Sequence, residues 1–258
     1  MINRFLLALL WLACLTSICA QAPLRVAAAS DLQPVLPPIL NQFQQSTGIH
    51  VDATFQASAV LTTQIQNGAP FDLFLSADMG YPKRLIDAGL ADAAGTADSS
   101  TPILYARGTL VLFARKDSHL PPPSHDLLRS PDLKRLAVAN PDRAPYGRAA
   151  VAALTSLKLY DTLKPRLVTA ENISQAAQFV DSGNADAGLI SLTSALTTQL
   201  AADGTYFEIP RNLYPPIEQG AVIVSNTTQR AAVHKLLDFL LSAPVQAQLA
   251  KTGLTPVH

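Results

Sequence analysis

At four places in the sequence, an apolar, strand-like run ends on a residue that also opens a helix pattern. These junctions are Ala29-Ser30-Asp31, Gln56-Ala57-Ser58-Ala59, Asp142-Arg143-Ala144-Pro145-Tyr146-Gly147 and Glu171-Asn172-Ile173-Ser174. The first N–H groups of a helix have no carbonyl partner within it and sit at the positive end of its dipole, so they attract an anion without any cationic side chain. Serine hydroxyls add donors at the same place. Ordinary N-capping accounts for any one of these junctions. In an α/β protein, however, ligands gather at the carboxyl ends of strands, where all four junctions would lie.

No competing chemistry is spelled out. The five histidines, His50, His119, His125, His234 and His258, have none of the spacings that hold zinc on a helix. No nucleophile elbow, Walker loop or dinucleotide fingerprint occurs, and the carboxylates read as solvated faces or helix caps. The sequence therefore reads as a binding protein rather than an enzyme, with no cofactor.

The elements that must position these junctions follow from hydrophobic periodicity. Short apolar runs alternate with amphipathic stretches, the pattern of a mainly parallel α/β fold. Strands are expected over 24–29, 49–55, 71–76, 136–139 and 187–191, near Leu167, and over 206–209 and 221–225. An apolar pair over 103–115 is broken at Arg107-Gly108. Helices are expected over 32–47, from Ser58 to Gly68, and over 82–88, 146–157, 173–182, 230–241 and 244–252.

With 258 residues, 48% of them hydrophobic and 19 basic against 19 acidic, the chain has material for two lobes, each with its own core. The neutral balance argues against a nucleic-acid partner. Residues 1–22 read as a secretory signal: Arg4 is followed by an apolar run shorter than the ~20 residues a membrane span needs, then by Ala20 and Ala22. Both cysteines, Cys14 and Cys19, lie in that segment, so the mature protein lacks thiol chemistry and disulfides. These features point to the periplasm of a Gram-negative bacterium.

Several stretches resemble a known family. Val26-Ala27-Ala28-Ala29-Ser30-Asp31-Leu32, Phe55-Gln56-Ala57-Ser58-Ala59-Val60-Leu61, Gly68-Ala69-Pro70-Phe71-Asp72-Leu73-Phe74-Leu75-Ser76-Ala77-Asp78 and Ala137-Val138-Ala139-Asn140-Pro141 with Pro145-Tyr146-Gly147 are similar to the periplasmic molybdate-binding proteins of ABC transporters. The resemblance runs from Leu24 to the end of the chain. It implies a bilobal type II periplasmic-binding-protein-like fold, with two mixed-sheet α/β lobes joined by a hinge. Residues 23–104 and 220–258 would form a discontinuous first lobe, and residues 105–219 the second. The chain would cross near Leu104-Tyr105-Ala106 and near Pro215-Pro216-Ile217.

The resemblance also implies the site. Ser30 and Ser58 would donate to the oxyanion through hydroxyl and N–H. Tyr146 and Ile173 would donate through backbone N–H at helix N-termini. Ser191 stands where many relatives carry a tyrosine, and it is too short to copy that reach, so a donor is missing there or a water replaces it. Molybdenum would be held only as its oxyanion, with no direct cation ligands. The implied ligand is molybdate, with tungstate barely distinguished from it. The implied partner is an inner-membrane ABC permease, served by a monomer. Exclusion of sulfate would rest on cavity size. The same fold binding sulfate, thiosulfate or another oxyanion is the alternative.

Overall fold

The computed structural model describes residues 22–93 and 100–257. The expected signal segment, apart from Ala22, lies outside them. Among the described residues, no helix is long and apolar enough to cross a membrane.

The first lobe opens with β1 (Leu24–Ala29), α1 (Leu36–Thr47), β2 (Val51–Gln56), α2 (Ser58–Gln66), β3 (Leu73–Leu75), α3 (Gly80–Asp87), β4 (Ala91–Asp92) and β5 (Ile103–Gly108). The second lobe follows with β6 (Leu110–Arg115), β7 (Leu136–Ala139), α4 (Pro145–Ser156), α5 (Tyr160–Leu163), β8 (Leu167–Ala170), α6 (Ile173–Asp181), β9 (Ala187–Ser191), α7 (Leu192–Ala195), α8 (Thr198–Asp203) and β10 (Gly204–Glu208). The chain then returns through β11 (Ile217–Val224), α9 (Arg230–Leu241) and α10 (Ala243–Lys251).

Each lobe is built on one mixed sheet. The first has the order β2-β1-β3-β11-β4, with β5 also paired to β11, and the second the order β10-β6-β9-β7-β8. In the first sheet β1 runs parallel to β2 and β3, whereas β11 is antiparallel to β3, β4 and β5. In the second, β7 is parallel to β8 and β9, and β6 is antiparallel to β9 and β10. The two-fold period of a strand splits the first lobe's core over both faces. Val26, Ala28, Leu73 and Leu75 pack with α1, α9 and α10, while Ala27, Phe74 and Val222 pack with Leu61 and Ile65 of α2 and Leu85 of α3.

The expected helix over 32–47 is shorter at its start. Ser30–Leu32 form a single tight 3-10 turn, and the α-helix begins at Leu36. Pro37 and Pro38 decide this, because in a helix starting at Leu32 they would leave interior carbonyls without donors, whereas in a first turn their missing N–H groups cost nothing. Gly48 then stops the helix in a left-handed conformation, φ 73°, that favours glycine.

The chain passes from the first sheet to the second between Gly108 and Leu110, and back between Glu208 and Ile217. The crossing expected at Leu104-Tyr105-Ala106 lies inside β5, which stays paired to β11 as far as Gly108. The sheets separate at Thr109, just beyond the break expected at Arg107-Gly108.

Candidate functional site

The four junctions converge. Ser30 follows the last residue of β1 and Ser58 opens α2 one residue beyond β2. Tyr146 lies in the first turn of α4 beyond β7, and Ile173 opens α6 beyond β8. All four are buried and line one small cavity between the lobes, together with Asp31 and Ala77. Two helices meet it with ill-suited caps: Ala57 precedes α2 and Ala144 precedes α4, and neither can offer a side-chain acceptor. An alanine at this position costs about 0.5–2 kcal/mol relative to serine or aspartate, and it leaves the first-turn N–H groups open to another acceptor. At α6 the Asn172 side chain accepts from Gln175 N at 3.0 Å, deeper in the turn than Ile173.

The hydroxyls differ in their duties. Ser58 Oγ accepts the Ala77 N–H at 3.1 Å, which leaves its hydrogen free to donate elsewhere. Ser30 is 4% exposed. Its carbonyl accepts from Ser174 Oγ of α6 at 2.7 Å, a bond between the lobes.

Ser191 is not brought to the cavity. It ends β9 and caps α7: its Oγ lies 2.9 Å from the hydroxyls of both Ser194 and Thr193 and accepts from Ser194 N at 3.3 Å. Its burial is complete, and the partners of its hydroxyl are all within three residues of it. The capping pattern Ser191-x-x-Ser194 is legible locally, but only the packing shows that this cap lies outside the cavity lining.

Sequence reasoning missed Asp31. Its side chain is fully buried on the cavity wall. Oδ2 accepts from the Tyr146 hydroxyl at 3.2 Å and from the Gln219 side-chain amide, while Oδ1 has no partner among the described residues. Desolvation raises its pKa to about 6, against the lowering effect of those hydrogen bonds. Burial, then the nearby Asp31, push the Tyr146 hydroxyl well above the ordinary phenol range, so it stays a donor. The only sequence signal was an acidic residue at the end of an apolar strand, which reads equally well as a solvated cap.

The raised value makes a stability prediction. The folded state holds this proton more tightly than the unfolded chain, so the contribution is full below about pH 4 and is lost as pH rises through about 6. At pH 8 the buried carboxylate costs on the order of 3 kcal/mol relative to its neutral form. Asp31→Asn is neutral at every pH. Thermal melts are expected to show the variant gaining on the parent by about 1.4 kcal/mol between pH 5 and pH 8; a constant difference would contradict the assignment.

Further contacts close the lobes beside the cavity. Ala59 N of α2 donates to Arg143 O at 3.1 Å, and the Tyr81 hydroxyl donates to Asp142 O at 3.2 Å. Arg148 pairs with Asp78 and stacks 5.3 Å above the Tyr81 ring. No lysine, arginine or histidine lines the cavity itself, and among the described residues no cluster of three or more His, Cys, Asp or Glu is placed to hold a metal ion. Donors without cations suit an anion that offers only acceptors.

Comparison with known proteins agrees with this architecture. Residues 24–255 match the model of a family described as bacterial extracellular solute-binding protein. The chain belongs to that family. Solute-binding proteins of this kind carry ligands and are not enzymes, in line with the missing catalytic constellations. The molybdate-binding protein ModA of Azotobacter vinelandii is 36% identical over 219 residues, covering 85% of this chain and 84% of its own. ModA of Rhodobacter capsulatus is 35% identical over 211 residues, covering 82% and 79%. The solved periplasmic molybdate-binding protein of Azotobacter vinelandii superposes with a TM-score of 0.83 at 30% identity, over 91% of this chain and 100% of that one. The sulfate-binding protein SubI of Mycobacterium tuberculosis shares the fold, with a TM-score of 0.77 at 18% identity. The solute-binding fold therefore does not by itself choose the anion.

Proposed function

We propose that this protein, exported to the periplasm, binds molybdate, and tungstate with it, in the cleft between its lobes and delivers the anion to an ABC permease in the inner membrane. The observation that carries this reading is the interlobe cavity, on which donor groups converge and no cationic side chain intrudes. Two relatives named for molybdate binding, at 36% and 35% identity over most of their length, support the choice of anion.

In this reading Ser30 and Ser58 donate hydroxyl and N–H groups from the first lobe. Tyr146 and Ile173 donate backbone N–H groups from the second, so their side chains are free for other work. Ser191 acts one step back, holding the first turn of α7. The two lobes, the first running to Gly108 and resuming at Ile217, turn about the two chain crossings, and the protein works as a monomer. Burying a dianion is costly unless nearly every oxygen is hydrogen-bonded. A protonated phosphate would set its own O–H against a donor, a mismatch of roughly 1–3 kcal/mol.

Calorimetric titration of anion-stripped protein tests this. Molybdate and tungstate are expected to bind one to one, with no heat from micromolar sulfate or phosphate. Silence with the first two anions would overturn the reading.

A further inference from the structure

The contacts between the lobes form two groups, one around Tyr81, Asp78 and Arg148 and one on the two residues Ser30 and Asp31. The Ser30 carbonyl accepts from Ser174 of α6 at 2.7 Å. The Asp31 carbonyl lies 2.8 Å from the Thr193 hydroxyl of α7, and its carboxylate takes the Tyr146 hydroxyl of α4 at 3.2 Å. Gln219, on the returning strand β11, holds the same carboxylate oxygen. Three second-lobe helices thus bear on one tight turn of the first lobe.

Tyr146 has two ends in this arrangement. Its backbone N–H is a proposed anion donor, and its hydroxyl is tied to the residue next to Ser30, the donor across the cavity. A continuous chain of covalent and hydrogen bonds therefore links the two sides of the cavity, from Ser30 through Asp31, the Tyr146 hydroxyl and the rigid phenol ring to the Tyr146 N–H. Every side chain along it is buried.

Two further observations show that the hydroxyl's place is built in. At Gly108, on the strand that leads to the second lobe, a Cβ would stand 2.1 Å from the Tyr146 oxygen. The cluster also stands although Asp31 Oδ1 and Gln219 Oε1 have no partners among the described residues. Apolar side chains of the same volume would avoid those unsatisfied atoms, so stability alone does not explain the cluster.

We propose that Asp31 is the stop against which the second lobe closes, and that its clasp on Tyr146 sets the cavity width and so selects tetrahedral oxyanions by size. This rests on the anion-binding reading above and deepens it. Lobes halted at a fixed separation hold a large oxyanion on both sides. They cannot draw in further around a smaller one such as sulfate, whose hydrogen bonds are left long. Asp31 and the Tyr146 hydroxyl are positioning groups here.

The test is the ratio of molybdate to sulfate affinity, measured by calorimetry up to millimolar sulfate. Tyr146→Phe keeps the backbone N–H and the ring and removes only the hydroxyl. It is expected to shift the ratio toward sulfate by about tenfold or more, as is Asp31→Ala. Asp31→Asn retains an acceptor for the hydroxyl and is expected to keep the parent ratio. A ratio unchanged within about twofold in a folded Tyr146→Phe or Asp31→Ala protein overturns the proposal, since a purely structural role would weaken both anions alike.

The parent protein provides a measurement that does not depend on variants folding. The distance between spin labels on the two lobes is expected to be the same with saturating molybdate and saturating sulfate. A shorter distance with sulfate overturns the stop. Failure to bind molybdate and tungstate at all would instead sink the function proposed above, and this inference with it.

Discussion

Replacing Ser30 and Ser58 together by alanine is expected to weaken molybdate binding by roughly 10²–10⁴-fold. A hydrogen bond to a charged partner contributes about 1.5–3 kcal/mol, so losing two such donors costs about 3–6 kcal/mol. The two single variants separate by stability. Ser58 Oγ also accepts the buried Ala77 N–H. Ser58→Ala leaves that donor bare and should lower unfolding free energy by about 1–3 kcal/mol. Ser30→Ala breaks no such bond and should melt close to the parent while still losing affinity. Titration of the double variant, with melts of each single one, checks both parts. An affinity loss below about tenfold would show that these hydroxyls do not hold the anion.

The second large effect comes from Gly147, in the first turn of α4. A Cβ there would lie 2.4 Å from Ala139 O and 2.8 Å from the carbonyl carbon and oxygen of Asn140. These are backbone atoms at the end of β7 and cannot swing aside as a side chain could. Gly147→Ala must therefore lift the start of α4 from the strand, at a cost of about 1–3 kcal/mol, and Gly147→Val costs more. The same movement displaces the Tyr146 N–H, so binding is expected to fall together with stability. Gly80→Ala is the matching control, because the nearest atom to its Cβ is 3.7 Å away. That variant should stay within about 0.5 kcal/mol of the parent and bind normally. Normal affinity in a folded Gly147→Ala protein would argue that the α4 terminus does not contact the ligand.

Much of the fold was legible because its elements obey local rules. The run from Leu24 to Ala29 is apolar except at Arg25, as a strand buried on both faces must be. Leu36, Ile39, Leu40 and Phe43 recur at helical spacing and are the buried stripe of α1. The tetrapeptide helix α5 and the two-residue edge strand β4 left no readable signal, since segments that short carry too few residues for a period. The expected start of α1 lies four residues early: a first turn opening at Leu32 holds only Pro34, whereas Pro37 and Pro38 both fall in the first turn of the helix that begins at Leu36.

By itself, the sequence determined an α/β chain whose strands run into helix starts at Ser30, Ser58, Tyr146 and Ile173, with neutral donors in place of cations. Those properties depend on backbone hydrogen bonding and on periods of two and 3.6 residues, which neighbours in the chain dictate. Only the tertiary structure decided which polar residues share a cavity. Ser191 and Asp31 both stand at the end of an apolar strand, and nothing local says which of them reaches the cavity. Ser191 spends its hydroxyl on the cap of α7, whereas Asp31 meets Tyr146, 115 residues away, and Gln219, 188 residues away. Contacts of that separation exist only once two sheets have formed and the chain has crossed between them twice. The role of a buried carboxylate is then set by the desolvation and the donors that packing brings to it.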